Sequence, residues 1–118
     1  MIRCLAGPGN TASRIENRVG EPAANPYLYL ASQILSGLDG IEQEMVAPAP
    51  VQTPYDSTAQ TLPVSMIDAL LALKESEFYR QQLGDGFIDY MAVLKEAEWN
   101  RYLTTVSEWE EREYFSLF

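Results

Sequence analysis

The sequence contains no histidine among its 118 residues. Without an imidazole, the chain cannot form a Ser-His-Asp or Cys-His catalytic group, a histidine-ligated zinc site or a histidine general base at neutral pH. Cys4 is the only cysteine, so no disulfide can form within the chain and nothing indicates an oxidising compartment. We interpret its thiol as buried or half-buried rather than nucleophilic. We expect a cytoplasmic protein whose chemistry uses arginine, glutamate and aspartate.

Basic residues and long apolar runs are also scarce. The chain has 8 Lys and Arg against 17 Asp and Glu, which gives a formal charge of -9 and a pI near 4.3. Such an acidic surface repels nucleic-acid phosphates and anionic lipids. No segment reaches the roughly 18 apolar residues of a transmembrane helix, and no signal-peptide pattern is present. We therefore expect neither nucleic acid nor a membrane as a partner.

Length and composition fit one globular domain comprising residues 1–118, and the first twenty residues predict a β-hairpin. The turn-forming cluster 7–10 separates two extended segments, 2–5 and 13–19. Side chains alternate along a strand, so one face of the second arm should carry Arg14, Glu16 and Arg18. A two-stranded hairpin is marginal alone, and we expect it to belong to a larger sheet.

Residues 25–118 are predicted to be helical around one loop. Asn25 and Pro26 favour a helix start, and we expect a helix over about 26–37 that ends at Gly37 and Gly40. Its apolar stripe should pack against a core and consists of Tyr27, Leu30, Ala31, Ile34 and Leu38. Prolines mark a loop of about 42–63.

Three or four further helices are predicted beyond this loop. Ser65 with Asp68 resembles a capping box before a helix that ends near Glu75, and a short helix should follow over about 77–83. A longer helix should run to about Thr105, with Lys95 in solvent beside Glu96 and Glu98. The stripe along this helix should contain Phe87, Met91, Leu94, Glu98 and Trp99. Ser107 and Glu110 form a last capping box. The fold class is therefore mainly α with a short N-terminal β-hairpin.

Several stretches of the chain resemble the glutamine synthetase family in sequence, order and spacing. They are Arg14-Ile15-Glu16-Asn17-Arg18, the segments 24–28 and 36–41, the Leu62-Pro63-Val64-Ser65 element, and parts of the tail between Lys95 and Glu110. The resemblance covers nearly the whole chain. It implies the C-terminal fragment of an α+β catalytic domain, whose active site lies between strands of a curved sheet at a subunit junction.

The resemblance implies roles for four residues. Arg3 matches an arginine that contacts ATP phosphates, and Arg14 matches one beside the nucleotide and its transferring phosphate. Both are expected to bind ATP, and Arg14 is the expected catalytic residue. Glu16 matches a ligand of a catalytic Mg²⁺ or Mn²⁺. Arg18 matches the arginine that holds the carboxylate of the glutamate substrate.

These residue types suit the reaction that the resemblance implies, in which ATP and glutamate form γ-glutamyl phosphate and ammonia then displaces phosphate. A guanidinium group pairs with phosphate or carboxylate through parallel hydrogen bonds, and a carboxylate is a hard oxygen ligand for Mg²⁺ or Mn²⁺. Side chains at positions i and i+2 of a strand stand about 6.5 to 7 Å apart. One strand face could therefore address phosphate, metal and substrate together.

The sequence alone leaves alternative interpretations open for the charged triplet, the amine acceptor and the function of the chain. The charged triplet can also be a solvated strand face with cross-strand ion pairs. The acceptor can be a polyamine, methylamine or aromatic amine instead of ammonia, and the chain can instead be a non-catalytic helical interaction module on the family scaffold. Tyr55 lies in the loop where some bacterial members carry a nucleotidylated tyrosine, although a solvated tyrosine is the simpler interpretation.

The chain departs from the family pattern in one respect. Members carry further metal-ligating glutamates, a histidine and a gating loop upstream of the equivalent of Arg3, and these are not in this sequence. One carboxylate cannot hold a catalytic metal cluster. We therefore expect a C-terminal fragment of a homo-oligomeric enzyme, and we predict that the 118 residues alone are inactive.

Overall fold

A computed structural model describes residues 2–53 and 60–117 of the chain, which divide into two compact units, Met1–Pro50 and Val51–Phe118. Among these described residues, the first unit contains a two-stranded sheet and one helix, and the second contains four helices. This confirms the predicted fold class, mainly α with a short N-terminal β-hairpin. None of the helices in the described ranges combines the length and the apolar character needed to span a membrane.

The hairpin pairs strand β1 (Ile2–Leu5) with strand β2 (Arg14–Asn17) in antiparallel register, with Arg3 opposite Glu16. The turn between them is held locally. Gly9 takes a positive φ of 72°, which glycine adopts without steric cost, and the side chain of Asn10 accepts a hydrogen bond from the amide of Ala12. The second strand is shorter than predicted: it ends at Asn17, whereas the sequence predicted an extended segment to residue 19.

Helix α1 (Pro26–Glu42) begins as the sequence predicts. The side-chain oxygen of Asn25 accepts hydrogen bonds from the amides of Tyr27 and Leu28, and Pro26 occupies the first turn. The predicted end at Gly37 and Gly40 was wrong, because neither glycine takes the positive φ that ends a helix. Each glycine costs the helix only about 1 kcal/mol, so α1 continues through both.

The predicted packing of the α1 stripe against a core was also wrong within this unit. Tyr27 is 81% exposed, and Leu30, Ile34 and Leu38 are exposed as well. No described residue of the first unit is fully buried. A helix of this periodicity can bury its stripe only where another element faces it, and the hairpin does not cover this face.

The described residues between Glu42 and Met66 form no helix or strand, in agreement with the predicted loop. Tyr55 lies outside the described residues. The next helices are α2 (Met66–Glu75) and α3 (Glu77–Leu83). Ser65 caps α2, since its Oγ accepts from the amide of Asp68 at 3.1 Å and donates to the carboxylate of the same residue at 2.7 Å.

Helices α4 (Asp85–Leu103) and α5 (Glu108–Tyr114) complete the second unit. Both α2 and α3 pack on α4 and enclose a small core of Leu70, Ile88 and Ala92. The predicted stripe of α4 was right only in part: Phe87, Met91 and Trp99 are half-buried, whereas Leu94 and Glu98 are exposed. The fully buried residues of this helix, Ile88 and Ala92, were not in the predicted stripe. Lys95, expected in solvent, is half-buried, although its Nζ does bind Glu98 at 2.6 Å.

A single arginine connects the helices at one end of this core. Arg80 donates from Nε to the carbonyl of Lys74 at 2.6 Å, and from its two terminal nitrogens to Asp85 and Asp89 at 2.8 Å each. The Lys74 carbonyl lies in the last turn of α2, where no helical amide is available to it. Arg80 therefore links the end of α2 to the start of α4, and we call these contacts the Arg80 clamp.

Candidate functional site

Strand pairing brings three of the four predicted site residues together. Arg3 and Glu16 are directly opposite each other across the hairpin, and Arg14 lies two positions before Glu16 on the same face. Antiparallel register and side-chain alternation are sufficient to produce this arrangement. We call the group of Arg3, Arg14 and Glu16 the charged strand face.

The Glu16 carboxylate lies between the two arginines. Its Oε1 accepts from Nε of Arg14 at 3.0 Å and lies 2.8 Å from Nη2 of the same guanidinium. Its Oε2 lies 3.8 Å from Nη1 of Arg3, an ion pair without a close hydrogen bond. Arg14 also donates from Nη1 to the carbonyl of Ala12 at 3.1 Å. Arg14 is thus held by two hydrogen bonds, whereas Arg3 contributes only the longer ion pair.

These ion pairs are open to solvent and contribute little to stability. The side chains of Arg3 and Arg14 are 53% and 54% exposed, and that of Glu16 is 29% exposed. Exposed pairs of this kind contribute about 0 to 1 kcal/mol, because water screens the charges and ordering long side chains costs entropy. A ligand that binds one of these side chains more tightly can therefore displace its ion-pair partner with little loss of free energy. Two guanidinium groups and one carboxylate leave one net positive charge, which suits an anion such as phosphate.

The sequence predicted an extended segment that includes Arg18, whereas β2 ends before this residue. It lies one residue beyond the end of β2, its side chain is exposed, and it makes no hydrogen bond or ion pair with any part of the chain that the structure describes. Because Arg18 lies outside β2, strand alternation by itself does not assign it to the charged strand face. Its guanidinium is available to an external carboxylate.

Asn17 holds the chain around Arg18, although the sequence patterns did not identify it as a functional residue. Asn17 binds both the amide of Val19 and the side chain of Gln33 on α1, with distances of 3.0 and 2.8 Å. A weak signal was present, because Asn commonly hydrogen-bonds to the backbone two residues on and so bends the chain. The partner Gln33 lies sixteen residues away, and no local pattern identifies it.

Glu16 fits one position of a Mg²⁺ or Mn²⁺ coordination shell, since a carboxylate is a hard oxygen donor. A complete site does not form from residues 2–53 and 60–117, where no three His, Cys, Asp or Glu side chains converge to hold a metal ion. Cys4 lies on the opposite strand and is exposed, so the expected burial of its thiol was wrong.

Two carboxyl groups in the helical unit have lowered pKa values. The pKa of Glu98 is lowered mainly by its hydrogen bond with Lys95, and that of Glu110 mainly by its hydrogen bond with the backbone amide of Ser107. The pKa of Arg80 is raised by its hydrogen bonds with Asp85 and then Asp89. These groups lie in hydrogen-bonded caps and ion pairs, so their shifted pKa values reflect structure rather than a catalytic site.

Comparisons with a family model and with individual known proteins all identify the same family. The sequence model of the family described as "Glutamine synthetase, catalytic domain" matches residues 1–114. A γ-glutamylanilide synthase from Acinetobacter sp is 44% identical over 129 residues, covering 99% of this chain and 26% of that protein. Glutamine synthetases from Staphylococcus aureus strains MRSA252 and MW2 are 38% and 37% identical over 127 residues, covering 100% of this chain and 28% of each. The chain thus spans about a quarter of the length of these relatives.

Proposed function

The chain belongs to the glutamine synthetase family, and from this premise we propose that it supplies one active-site strand of an ATP-dependent ligase that joins an amine to the γ-carboxylate of glutamate. The observation that carries the proposal is the charged strand face, where Arg3 and Arg14 flank the Glu16 carboxylate. In this proposal residues 1–118 lie within a catalytic domain, and the whole protein is a cytoplasmic homo-oligomer.

The proposed reaction begins with transfer of a phosphoryl group. A γ-carboxylate oxygen of glutamate attacks the terminal phosphorus of ATP, the bond to ADP breaks, and γ-glutamyl phosphate forms. Negative charge accumulates on the phosphoryl oxygens as ADP leaves. Arg14 and Arg3 neutralise this charge, because guanidinium groups donate two parallel hydrogen bonds to phosphate oxygens. Arg14 is the proposed catalytic residue, and both arginines bind ATP.

Glu16 is proposed to supply one oxygen ligand to Mg²⁺ or Mn²⁺. When bound, the metal would neutralise further charge on the phosphate oxygens. The Arg14–Glu16 pair must open for both roles, so that Arg14 turns to phosphate and Glu16 to the cation. This exchange requires little free energy, because Arg14 is exposed and an exposed ion pair contributes little to stability.

Arg18 is proposed to hold a carboxylate of glutamate. Its side chain is exposed and carries no internal partner in the described residues, so no existing bond has to break when the substrate binds. In the second step the amine nitrogen bonds to the γ-carbonyl carbon, phosphate leaves with the bonding electrons, and the nitrogen loses a proton to solvent or a base. The product is glutamine if the amine is ammonia.

An aromatic amine is the second candidate acceptor. The observation that favours it is the higher identity to the γ-glutamylanilide synthase, 44%, than to the glutamine synthetases, 38% and 37%. The two acceptors differ in charge and size, because ammonium is a small cation at neutral pH and aniline is a neutral ring. The four proposed site residues act on phosphate, metal and glutamate and are compatible with both.

The test is a chimera in which residues 1–118 replace the matching quarter of the Acinetobacter γ-glutamylanilide synthase. We expect ADP release that requires glutamate and either ammonium or aniline, whereas the 118-residue chain alone should release none. Arg14→Met should lower kcat/KM by about 100-fold, the usual loss for a donor that stabilises developing charge. A matched control is Arg112→Met, which removes an exposed arginine from α5 and should leave the rate unchanged.

Two results would contradict this proposal. One is a folded chimera, judged by its melting transition and oligomeric state, that binds neither ATP nor glutamate in calorimetry. The other is equal activity of the Arg14→Met and Arg112→Met chimeras. Either result would favour a non-catalytic helical scaffold over a ligase.

A further inference from the structure

The chain between the end of β2 and the start of α1 is held at Asn17 by two hydrogen bonds. Its Oδ1 accepts from the amide of Val19 at 3.0 Å, and its Nδ2 donates to Oε1 of Gln33 at 2.8 Å. A carboxamide can accept and donate at once, whereas a carboxylate can only accept and an aliphatic side chain can do neither. Asparagine is therefore suited to bend the strand end and fasten it to α1 together.

The hydrogen bonds continue along α1 in one direction. Gln33 donates from Nε2 to Oγ of Ser32 at 3.4 Å, and Ser32 donates from Oγ to the carbonyl of Tyr29 at 2.8 Å. The Val19 amide can only donate, so Oδ1 of Asn17 must face it and Nδ2 must face Gln33. Each following group then has its donor and acceptor assigned. The strand end is thus connected to the backbone of α1 through successive hydrogen bonds that all run in the same donor-to-acceptor direction.

A second contact fastens the chain on the other side of Arg18. A Cβ placed on Gly20 would lie 3.2 Å from Oη of Tyr29 and 3.3 Å from Cζ, so the tyrosine ring lies directly against this glycine. Arg18 therefore stands between two points of attachment to α1, Asn17–Gln33 before it and Gly20–Tyr29 after it. The backbone of Arg18 is restrained on both sides, although its side chain is free to reach a ligand.

We propose that Asn17 is a positioning residue that sets the direction of Arg18 toward a carboxylate substrate, with Gln33 as its partner on α1. The inference rests on the proposed function, in which Arg18 binds glutamate. Asn17 itself does not contact the substrate, since it points to the opposite face of the strand from Glu16 and is engaged by Gln33. Loss of the two hydrogen bonds should weaken glutamate binding and leave ATP binding intact.

The functional experiment uses the chimera described above, and compares KM for glutamate with KM for ATP. Asn17→Leu removes both hydrogen bonds and should raise the KM for glutamate about tenfold, whereas Gln33→Leu removes one and should raise it about fivefold. Gln33→Glu keeps the acceptor and should stay within twofold of the unchanged chimera. The KM for ATP should change less than twofold throughout. Gln82→Leu, at an exposed glutamine of α3, is the matched control and should change neither KM.

The structural experiment uses the 118-residue chain and needs no activity. Amide hydrogen exchange of Val19, followed by NMR, should accelerate in Asn17→Leu, because the amide loses its acceptor. Asn17→Asp keeps that acceptor and should retain slow exchange, although it can no longer donate to Gln33. Equal exchange rates in the unchanged chain and Asn17→Leu would overturn the assignment of this hydrogen bond.

The outcomes separate this inference from the proposed function. A folded chimera that does not use glutamate defeats the proposed function and, with it, the role of Asn17. An active chimera whose Asn17→Leu variant has an unchanged KM for glutamate overturns only the positioning role. Equal increases in the KM for glutamate and for ATP also overturn it, because they indicate general disruption of the hairpin rather than misdirection of Arg18.

Discussion

The two units of this chain differ in what holds them together and in what they carry. The first unit carries all four proposed site residues, and none of its described residues is fully buried. The helices α2 to α5 carry none of these site residues, yet they contain the buried residues Leu70, Ile88 and Ala92. The first unit is ordered mainly by strand pairing and hydrogen bonds, whereas the second has a small hydrophobic core.

This difference has a physical consequence for stability. Burial of apolar side chains is the main favourable term in folding, whereas an exposed hydrogen bond or ion pair contributes little in net terms. The helical unit should therefore respond strongly to core substitutions. The hairpin unit should respond weakly to any single substitution, and its apolar stripe on α1 can add stability only when another surface covers it. Both tryptophans, Trp99 and Trp109, lie in the helical unit, so their fluorescence reports that unit alone.

The largest effect is expected from Ile88→Ala. The side chain of Ile88 is 0% exposed, and its truncation leaves a cavity between α2, α3 and α4. We expect a loss of about 3 kcal/mol in the free energy of unfolding, measured by urea denaturation with far-ultraviolet circular dichroism, which follows the helices of both units. Ile34→Ala is the matched control, because Ile34 is an exposed isoleucine on the α1 stripe, and its effect should stay within about 0.5 kcal/mol. Similar losses of unfolding free energy from the two substitutions would contradict the conclusion that only the second unit has a hydrophobic core in the described residues.

A smaller effect is expected from breaking the Arg80 clamp. Arg80→Met should lower the urea midpoint of the fluorescence transition, although by less than Ile88→Ala, since it leaves the Lys74 carbonyl and two aspartates without their partner. Arg80→Lys should recover only part of the loss, because one ammonium cannot reach all three acceptors in the geometry of a guanidinium. Added salt should reduce the difference between wild type and Arg80→Met, since it screens the contacts with Asp85 and Asp89. A midpoint equal to that of Arg112→Met would show that the clamp does not stabilise this unit.

The smallest effect is expected at the start of α5. Ser107→Ala removes an N-cap, which should cost about 1 kcal/mol and increase fraying of this seven-residue helix, as measured by amide exchange of Glu110 and Glu111. Thr104→Ala is the control, because Thr104 follows the end of α4 and its hydroxyl does not cap α5. Equal exchange in the Ser107→Ala and Thr104→Ala variants would contradict the capping role.

The same cap should depend on pH. The folded pKa of Glu110 lies below its usual value of 4.5, since its carboxylate accepts from the amide of Ser107. The stabilisation is therefore fully present above about pH 4.5 and is lost as the pH falls through the lowered folded pKa. We expect increased fraying of α5 in that acidic range in the unchanged chain. Glu110→Gln should remove this pH dependence, and an unchanged acid response in that variant would contradict the assignment.

Local patterns predicted most of the elements. The caps at Asn25, Ser65 and Ser107 were all identified from single residues and their neighbours, because a helix start depends on groups within three positions of the cap. The hairpin followed from its turn cluster for the same reason. Alternation predicted that Arg14 and Glu16 share one strand face, whereas the register of the hairpin, which places Arg3 opposite Glu16, came from the structure.

Most of the errors have a different cause. The buried face of α4 and the exposure of Cys4 both depend on which surfaces face each other within a unit. The predicted end of α1 was wrong for a local reason, because two glycines cost a helix too little to end it. Leu94 and Ile88 are both apolar and occupy different faces of α4, and only the positions of α2 and α3 decide that Ile88 is buried. Likewise, nothing local indicated that Gln33 would receive the side chain of Asn17.

By itself, the sequence determined the chemistry that this protein has available. The absence of histidine, the excess of acidic residues and the Arg14 to Arg18 segment follow from composition and order alone, and the match to the glutamine synthetase catalytic domain over residues 1–114 depends on the same information. Tertiary structure decided which groups meet: it paired Glu16 with two arginines, fastened Asn17 to α1, and placed Arg18 beyond the strand. The physical reason is distance along the chain, because helix starts and turns form from neighbouring residues, whereas ion pairs and cores require segments that only folding brings together.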